Sequence, residues 1–225
     1  MFAISAVSVV LTIFAYAFAL RIHRRFAWAA PIVAASLPIM AALWLLRVPY
    51  LEYNRGGSLL TWWLGPATVA LAIPMYRNGL ALRGILHRVS ITVLVGAVVG
   101  MVTAAGSAWL LGAPLDIVMS SIPKSVTTPI AIEVCRQLGG VPQITIAMVI
   151  LSGVLGATVG THLLRLVGVK DDHAIGAAIG TSSHGIGTAS LIRRSDIQAA
   201  ASSWAMAAAG VFTSVLASLL ALIFR

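Results

Sequence analysis

Charge is scarce in this sequence, and acidic charge scarcest. Six Asp and Glu stand against fifteen Lys and Arg, and charged residues make up 9% of the chain where soluble domains carry about 25%. With 60% of the residues hydrophobic and a mean hydropathy of +0.99, a water-soluble fold could not cover its own core. The one cysteine, Cys135, excludes an intramolecular disulfide framework and a cysteine-cluster zinc site, and says little about compartment. Signs of a cleaved leader are missing too: residues 2–20 have no charged start and no small-residue cleavage site before the basic residues 21–25, so they read as a retained span. The net charge of +9 does not imply nucleic acid, because the basic residues fall in short clusters between apolar runs. Positive-inside loops have that pattern.

What is abundant is apolar sequence of membrane length. A helix needs about 20 apolar residues to cross the ~30 Å hydrocarbon layer, so the chain suffices for six to eight spans. Residues 2–20 and 26–46 form the first two, separated by the basic residues Arg21, His23, Arg24 and Arg25, which should face the cytoplasm. Pro31 and Pro38 predict a bend in the second. The polar stretch 47–57 is expected outside the membrane, its tyrosines at headgroup level and Gly56-Gly57 starting a turn. A third run, 58–76, leads back to a second basic stretch containing Arg77, Arg83, His87 and Arg88. Residues 89–113 are the longest clean run and carry Gly96 and Gly100 at the small-xxx-small spacing that lets helices approach closely.

From there the pattern changes. Residues 119–143 contain Lys124, Glu133, Arg136 and three prolines, too polar for a lipid-facing helix and too apolar for an ordinary loop, which reads as a broken or re-entrant segment. A conventional span follows at 144–164, with Gly156 and Gly160 four apart, then a polar connection 165–173. Residues 174–192 are rich in Gly, Ala, Ser and Thr, and 199–224 form the last span, with Arg193 and Arg194 between them. If both odd segments re-enter from opposite sides, Arg165, Lys170, Arg193 and Arg194 all fall on the cytoplasmic side; full spanning would put Arg165 and Lys170 outside. The positive-inside bias favours re-entry. The fold expected is therefore an all-α polytopic transmembrane helical bundle with interrupted or re-entrant helices, one domain over residues 1–225. A short likeness, Pro66-Ala67-Thr68-Val69 to Pro123-Lys124-Ser125-Val126, suggests an inverted repeat, and interrupted helices at corresponding positions mark transporter sites.

Two constellations carry candidate chemistry. An intramembrane lysine costs roughly 2.5–3.5 kcal/mol or more unless it meets a wet cavity or a partner, and a carboxylate is one such partner for Lys124. Ser125, Thr127 and Thr128 supply hydroxyl donors beside it, and Pro123 and Pro129 interrupt hydrogen bonding so that amide N–H groups can face an anion. The other reading has Lys124 snorkelling to the interface and the hydroxyls bonding their own helix. In the second constellation, Gly180 to Thr188, Gly185 and Gly187 let the backbone approach a solute, Thr181 and Ser182 can replace its water, and His184 can hold a proton near neutral pH. The other reading there is a tightly packed helix with a satisfied histidine. Gly180 and Gly185 have the spacing of a phosphate loop, but Ile186 stands where lysine is required.

Enzyme readings are weaker. Ser183 beside His184 lacks the G-x-S-x-G elbow, and adjacent residues on one helix point apart. His162, His173 and His184 lack the i, i+4 spacing of a helix-borne zinc site, and nothing calls for a cofactor. Glu133 and Arg136 are spaced to pair on a helix face, and Asp171-Asp172 reads as a solvated loop.

The stretches Leu64-Gly65-Pro66-Ala67-Thr68-Val69-Ala70-Leu71-Ala72, Pro123-Lys124-Ser125-Val126-Thr127-Thr128-Pro129-Ile130-Ala131 and His184-Gly185-Ile186-Gly187-Thr188 closely resemble the LrgB/CidB family. So do Pro49 to Gly57 and Gly139-Gly140-Val141-Pro142, and the likeness covers essentially the whole chain. The resemblance implies a bacterial inner-membrane, multi-pass protein that works beside a smaller LrgA/CidA-like membrane protein, a portion this chain does not contain. Family members are named for a holin- or antiholin-like influence on murein hydrolase activity and lysis. Related proteins are associated with transport of small monocarboxylates, pyruvate in bacteria and glycolate and glycerate in the chloroplast envelope. No catalytic residues are implied. The expectation is a secondary transporter of a small organic anion of the pyruvate, lactate or glycolate type, proton-coupled or exchanging, in a homodimer. In it, Lys124, Ser125, Thr127, Thr128, Thr181, Ser182, Gly185 and Gly187 bind substrate and His184 couples protons. The alternative is a holin/antiholin-like protein acting on membrane permeability.

Overall fold

The structure is a computed structural model and describes residues 2–26, 31–70, 72–77, 84, 86–192 and 194–223. Arg83 and Arg193, both assigned above to basic loops, lie outside the described residues. The described chain is helical with no strand, as its composition and runs predict. It forms two compact units, residues 1–70 and 71–225.

In the first unit, α1 (Phe2–Arg25) packs against α2 (Pro31–Leu45) and α3 (Tyr50–Trp62), and α4 (Leu64–Ala70) follows. Thr12 and Tyr53 join α1 to α3 by a 2.6 Å hydroxyl bond. Three expectations change here. The basic residues after position 20 are not a loop: His23, Arg24 and Arg25 form the last turn of α1, where cations meet the negative end of the helix. The stretch 47–57 is not a turn either, because α3 runs through Gly56 and Gly57, with Gly56 buried. Glu52 and Arg55 pair at 2.9 Å on its exposed face and support the helix locally. The run 58–76 is divided among the end of α3, α4 and α5 (Ala72–Arg77). Pro66 and Pro74 are third residues of α4 and α5, where a missing N–H costs little.

The second unit continues from α5 with α6 (Leu86–Leu110), α7 (Leu115–Ser121), α8 (Thr128–Gln137) and α9 (Pro142–Leu155). A π turn (Gly156–Gly160) carries α9 into α10 (Thr161–Leu166), and α11 (Asp172–Leu191) and α12 (Asp196–Ile223) complete it. Among the described residues four stretches are long and apolar enough to cross a membrane: Ala6–Arg25, Leu86–Leu110, Pro142–Leu166 and Asp196–Ile223. That is fewer than six to eight, and one shorter apolar helix, Pro31–Leu45, stands beside them. Less than a third of each spanning window is buried, and side chains such as Phe14, Trp44, Trp109, Val211 and Leu222 are largely exposed. A water-soluble protein would hide these; a multi-pass membrane protein turns them to lipid.

The two odd segments both fold back. Helix α11 turns at His184, and its halves run together: Gly187 lies against Ile179, and Leu191 joins Ile175, Leu164 and Val169 in one cluster. Gly180 and Thr188, on opposite arms, both meet Ser202 of α12. The first segment has the same shape. α7 enters, residues 122–127 form a tip without helix, and α8 returns, so that Val141 N–H donates to Ser120 Oγ and Gly140 packs on Ser120 and Cys135.

The hairpins enter from opposite ends. α6 and α12 run parallel, as shown by the Trp204 Nε1 to Ser90 Oγ bond at 3.1 Å and by Val93 packing in one cluster with Ala209 and Met101 in another with Ala217. The α11 hairpin starts where α12 starts, since Asp172 accepts from Ser195 and Gln198. The α7–α8 hairpin starts where α6 ends. Span and hairpin thus occur twice, α6 with α7–α8 and α9–α10 with α11, with reversed direction. In this repeat Pro123's counterpart is the His184 turn, whereas Pro66 belongs to the first unit. One end of the second unit gathers Arg88, Arg165, Lys170 and Arg194, and the other has Asp116 and the Glu133–Arg136 pair at 3.6 Å. Re-entry, and not full spanning, puts the basic residues together, as the positive-inside argument anticipates.

Candidate functional site

The two hairpin tips meet on one stretch of α9. Ser152 Oγ donates to the Lys124 carbonyl at 2.7 Å, and His184 Nε2 donates to the Val149 carbonyl at 3.0 Å. Nearer the start of α9, Thr145 Oγ1 donates to the Ser120 carbonyl at 2.8 Å. The bonds to the Lys124 and Ser120 carbonyls answer a requirement set by the breaks themselves, and the His184 bond anchors the second tip on a carbonyl inside α9. A helix interrupted in hydrocarbon leaves backbone groups that must find partners inside the protein. At the first tip Pro123 removes an N–H, and the N-cap Thr127 adopts an extended backbone (φ −62°, ψ 145°) before α8 begins. At the second, the reversal sits on a single residue, His184, at φ 40° and ψ −139°. Thr188 Oγ1 closes that turn on the His184 carbonyl at 2.8 Å. The π turn of α9–α10 faces the same place: a Cβ on Gly156 would collide with Ser183, so only glycine lets the second tip seat there.

On the other side of the tips lies a cavity of about 560 Å³, within the range of roughly 300–1,000 Å³ usual for small-molecule sites. Its wall on α6 is the stripe Arg88, Thr92, Gly96 and Gly100, every fourth residue and hence one helix face. Lys124 and Ser125 of the first tip, and Thr181 and Ser182 just before the second, face that stripe. Gly96 lies opposite Thr181, where a Cβ would stand 3.1 Å from Cγ2, and Gly100 opposite Ser125, at 3.8 Å from Oγ. Gly96 and Gly100 flank the middle of the 25-residue α6, so the tips sit near the centre of the membrane. Lys124 is half-buried, and among the described residues its Nζ makes one hydrogen bond, 3.2 Å to Ser125 Oγ, leaving donors unspent.

Asp171, His173 and Ala174 at the start of α11 complete the lining at the Arg88 end. That end is well anchored, and Asp171-Asp172 is no free solvated pair. Asp171 caps α11 by accepting from Ala174 N–H at 2.8 Å. Asp172 accepts from Gln198 Nε2 and Ser195 Oγ, each at 2.7 Å, and these bonds hold its carboxyl below the usual aspartate range. Beyond Gly100 the cavity stops. Met101, Met119, Ile122, Val134 and Ala217 form a buried apolar cluster there, with Ile130, Leu138 and Leu220 against it.

Of the candidate residues, the structure brings Lys124, Ser125, Thr181 and Ser182 together on one cavity. Thr127 and Thr128 lie at the start of α8 and are not on its lining, nor are Gly185 and Gly187. His184 is buried, its ring bonded to Val149 and set against Gly153, and it is off the cavity. Arg88, Thr92 and His173 also line the cavity, a placement that their reading as loop or span residues does not indicate. The signal that could have found the first two is the four-residue spacing from Arg88 to Gly100.

The sequence model of the LrgB-like family matches residues 12–223, nearly the full chain. The chain is 35% identical over 212 residues to the Bacillus subtilis protein YwbG, covering 93% of this chain and 94% of the relative. It is 33% identical to the Staphylococcus epidermidis protein named Holin-like protein CidB (86% of this chain, 85% of the relative), and 30% identical to the Staphylococcus aureus protein of that name (96% and 95%). No solved structure matches. The chain belongs to the LrgB-like family.

Proposed function

We propose that this member of the LrgB-like family is a secondary transporter of a small monocarboxylate of the pyruvate, lactate or glycolate type, in the cytoplasmic membrane of a bacterium. The observation that carries this reading is Lys124, a lysine with one hydroxyl partner, placed at the tip of a broken helix and facing a cavity near mid-membrane. A side chain of that cost is kept where it meets an ion or a partner, and interrupted helices from two inverted halves are where transporters bind. Lys124 balances the carboxylate, and Ser125, Thr181 and Ser182 replace its water. Transport is coupled to protons or proceeds by exchange. His184, off the cavity and bonded to Val149, is given the turn and not the proton. The reading includes a homodimer and a small LrgA/CidA-like partner.

A second reading rests on the names of the CidB relatives, which are called holin-like. In it the chain alters membrane permeability through assembly, without a saturable site. One experiment separates the two. The purified chain, with and without its small partner, is reconstituted in proteoliposomes and offered radiolabelled pyruvate, lactate and glycolate under a pH gradient. Saturable uptake without leakage of an unrelated dye is the expected result. Dye leakage without saturable uptake would overturn the transporter reading in favour of the holin-like one.

A further inference from the structure

The cavity is not symmetric about the tips, and its asymmetry has a charge. Arg88 lies twelve residues before Gly100 on one face of α6, which at 1.5 Å per residue places it about 18 Å along the axis from the level of Ser125 and Lys124. The lining therefore runs from the basic end of the second unit to mid-membrane and ends at the apolar cluster of Met101, Met119, Ile122, Val134 and Ala217. No ion pair is recorded for Arg88 among the described residues. Among the described residues the one acid on the lining is Asp171. Its carboxylate is bonded to Ala174 N–H at the positive end of α11, which offsets its charge.

Taking the cavity as the solute path, as proposed above, we infer that it is a vestibule open on the basic-loop side only, with Arg88 as an outer anion station whose backbone lies about 18 Å along α6 from the level of Ser125. A carboxylate of three carbons is much shorter than this separation of backbone levels, and Arg88 and Lys124 are assigned as successive stations and not as two halves of one site. Arg88 raises the local anion concentration at the entrance, an effect that salt screens. The apolar cluster beyond Gly100 is the closed side, which must part for a solute to leave the other way.

The test uses thiol reactivity and needs no substrate. In a Cys135→Ala background, Thr92→Cys probes the vestibule, Met101→Cys the closed side, and Lys170→Cys marks the basic-loop side. Sealed inverted and right-side-out membrane vesicles are treated with methanethiosulfonates of opposite charge, their rates normalised to those with a free thiol. Thr92→Cys is expected to react only in the vesicles where Lys170→Cys reacts, several-fold faster with the anionic reagent at low salt. That preference falls toward one at high salt and in Arg88→Gln, persists in Arg88→Lys, and grows in Asp171→Asn, which keeps the cap. Met101→Cys reacts far more slowly than Thr92→Cys from either side. Faster reaction of Thr92→Cys from the opposite side or none from either, labelling of Met101→Cys as fast as Thr92→Cys, or an anion preference unchanged in Arg88→Gln would overturn the inference. Because no transport is measured, these outcomes stand apart from the uptake experiment: a one-sided, anion-preferring vestibule without uptake would remove the transporter reading alone.

Discussion

Replacing Lys124 by methionine keeps most of the side chain's length and removes its charge, which isolates the electrostatic part of the proposed site. The magnitude follows from what Nζ is already doing. Its bond to Ser125 Oγ is a long one, 3.2 Å, so among the described residues two of its three N–H donors are free for a carboxylate. Hydrogen bonds to charged groups contribute about 1.5–3 kcal/mol each and do not add fully, which gives a loss of roughly 2–4 kcal/mol in Lys124→Met. At 1.4 kcal/mol per tenfold, the apparent KM for uptake should rise between roughly 30-fold and several hundredfold. Lys124→Arg keeps the charge and should lose far less. The assay is initial-rate uptake in proteoliposomes over a wide range of substrate, with protein amount and monodispersity matched to the parent chain. A KM within twofold of the parent in Lys124→Met would refute the assignment of this lysine to the anion, whatever the transport rate.

Three further outcomes follow from the same geometry. Gly100→Ala places its methyl at ordinary contact distance from Ser125, so uptake should stay near the parent level, whereas Gly100→Phe fills the cavity and should abolish uptake while the protein still elutes as a single species. At His184 the usual helix ranking should invert: the backbone there favours glycine, with strain of about 1–3 kcal/mol in other residues, so His184→Gly should melt higher in detergent than His184→Ala although both lose the bond to Val149. Equal melting, or Ala above Gly, would contradict the strained turn. Asp172 has its pKa lowered in the folded chain by the Gln198 and Ser195 bonds, so its contribution to stability is present above the ordinary aspartate value of about 3.9 and is lost as the pH falls through the lower folded value. The melting difference between the parent and Asp172→Asn should accordingly be full at neutral pH and shrink below about pH 4.

Much of the architecture could be read from the sequence because membrane insertion leaves coarse marks. Long uncharged runs found α6, α9–α10 and α12, and the excess of Lys and Arg at 165, 170 and 194 argued for re-entry over spanning before any contact was known. Lys124 was conspicuous because it is expensive. Other features left no such mark. A histidine at positive φ has no sequence signature, and the glycines beside it, Gly185 and Gly187, drew attention to the backbone next to the turn and not to the turn itself. Gly96 and Gly100 read as a generic packing pair, yet they face Thr181 and Ser125 across a cavity. Arg88 was counted only as a topological charge, since nothing local distinguishes a loop arginine from one at a cavity mouth. The helix through Gly56 and Gly57 overrides two residues of poor helix propensity, which burial of Gly56 makes possible.

The pattern of hydrogen bonds at the tips separates what the breaks cost from what they offer. An unsatisfied backbone group in hydrocarbon costs several kcal/mol, and a continuous helix would avoid the problem altogether. This chain instead breaks two helices at mid-membrane and satisfies the exposed carbonyls from one side, Ser152 on Lys124, Thr145 on Ser120 and Thr188 on His184, while the His184 ring is anchored on the Val149 carbonyl inside α9. None of those four side chains lines the cavity. On the cavity side the arrangement is the opposite. Lys124 and Ser125 share one long bond, and Ser182 meets only its neighbour Ser183 at 3.0 Å. Thr181 bonds the carbonyl one turn back, on Ala177, and keeps its acceptor lone pairs. A break made only for packing would spend its polar groups on both sides. One that is sealed toward α9 and left unspent toward α6 keeps hydrogen-bonding capacity free on the cavity side, and the proposed binding role rests on that asymmetry.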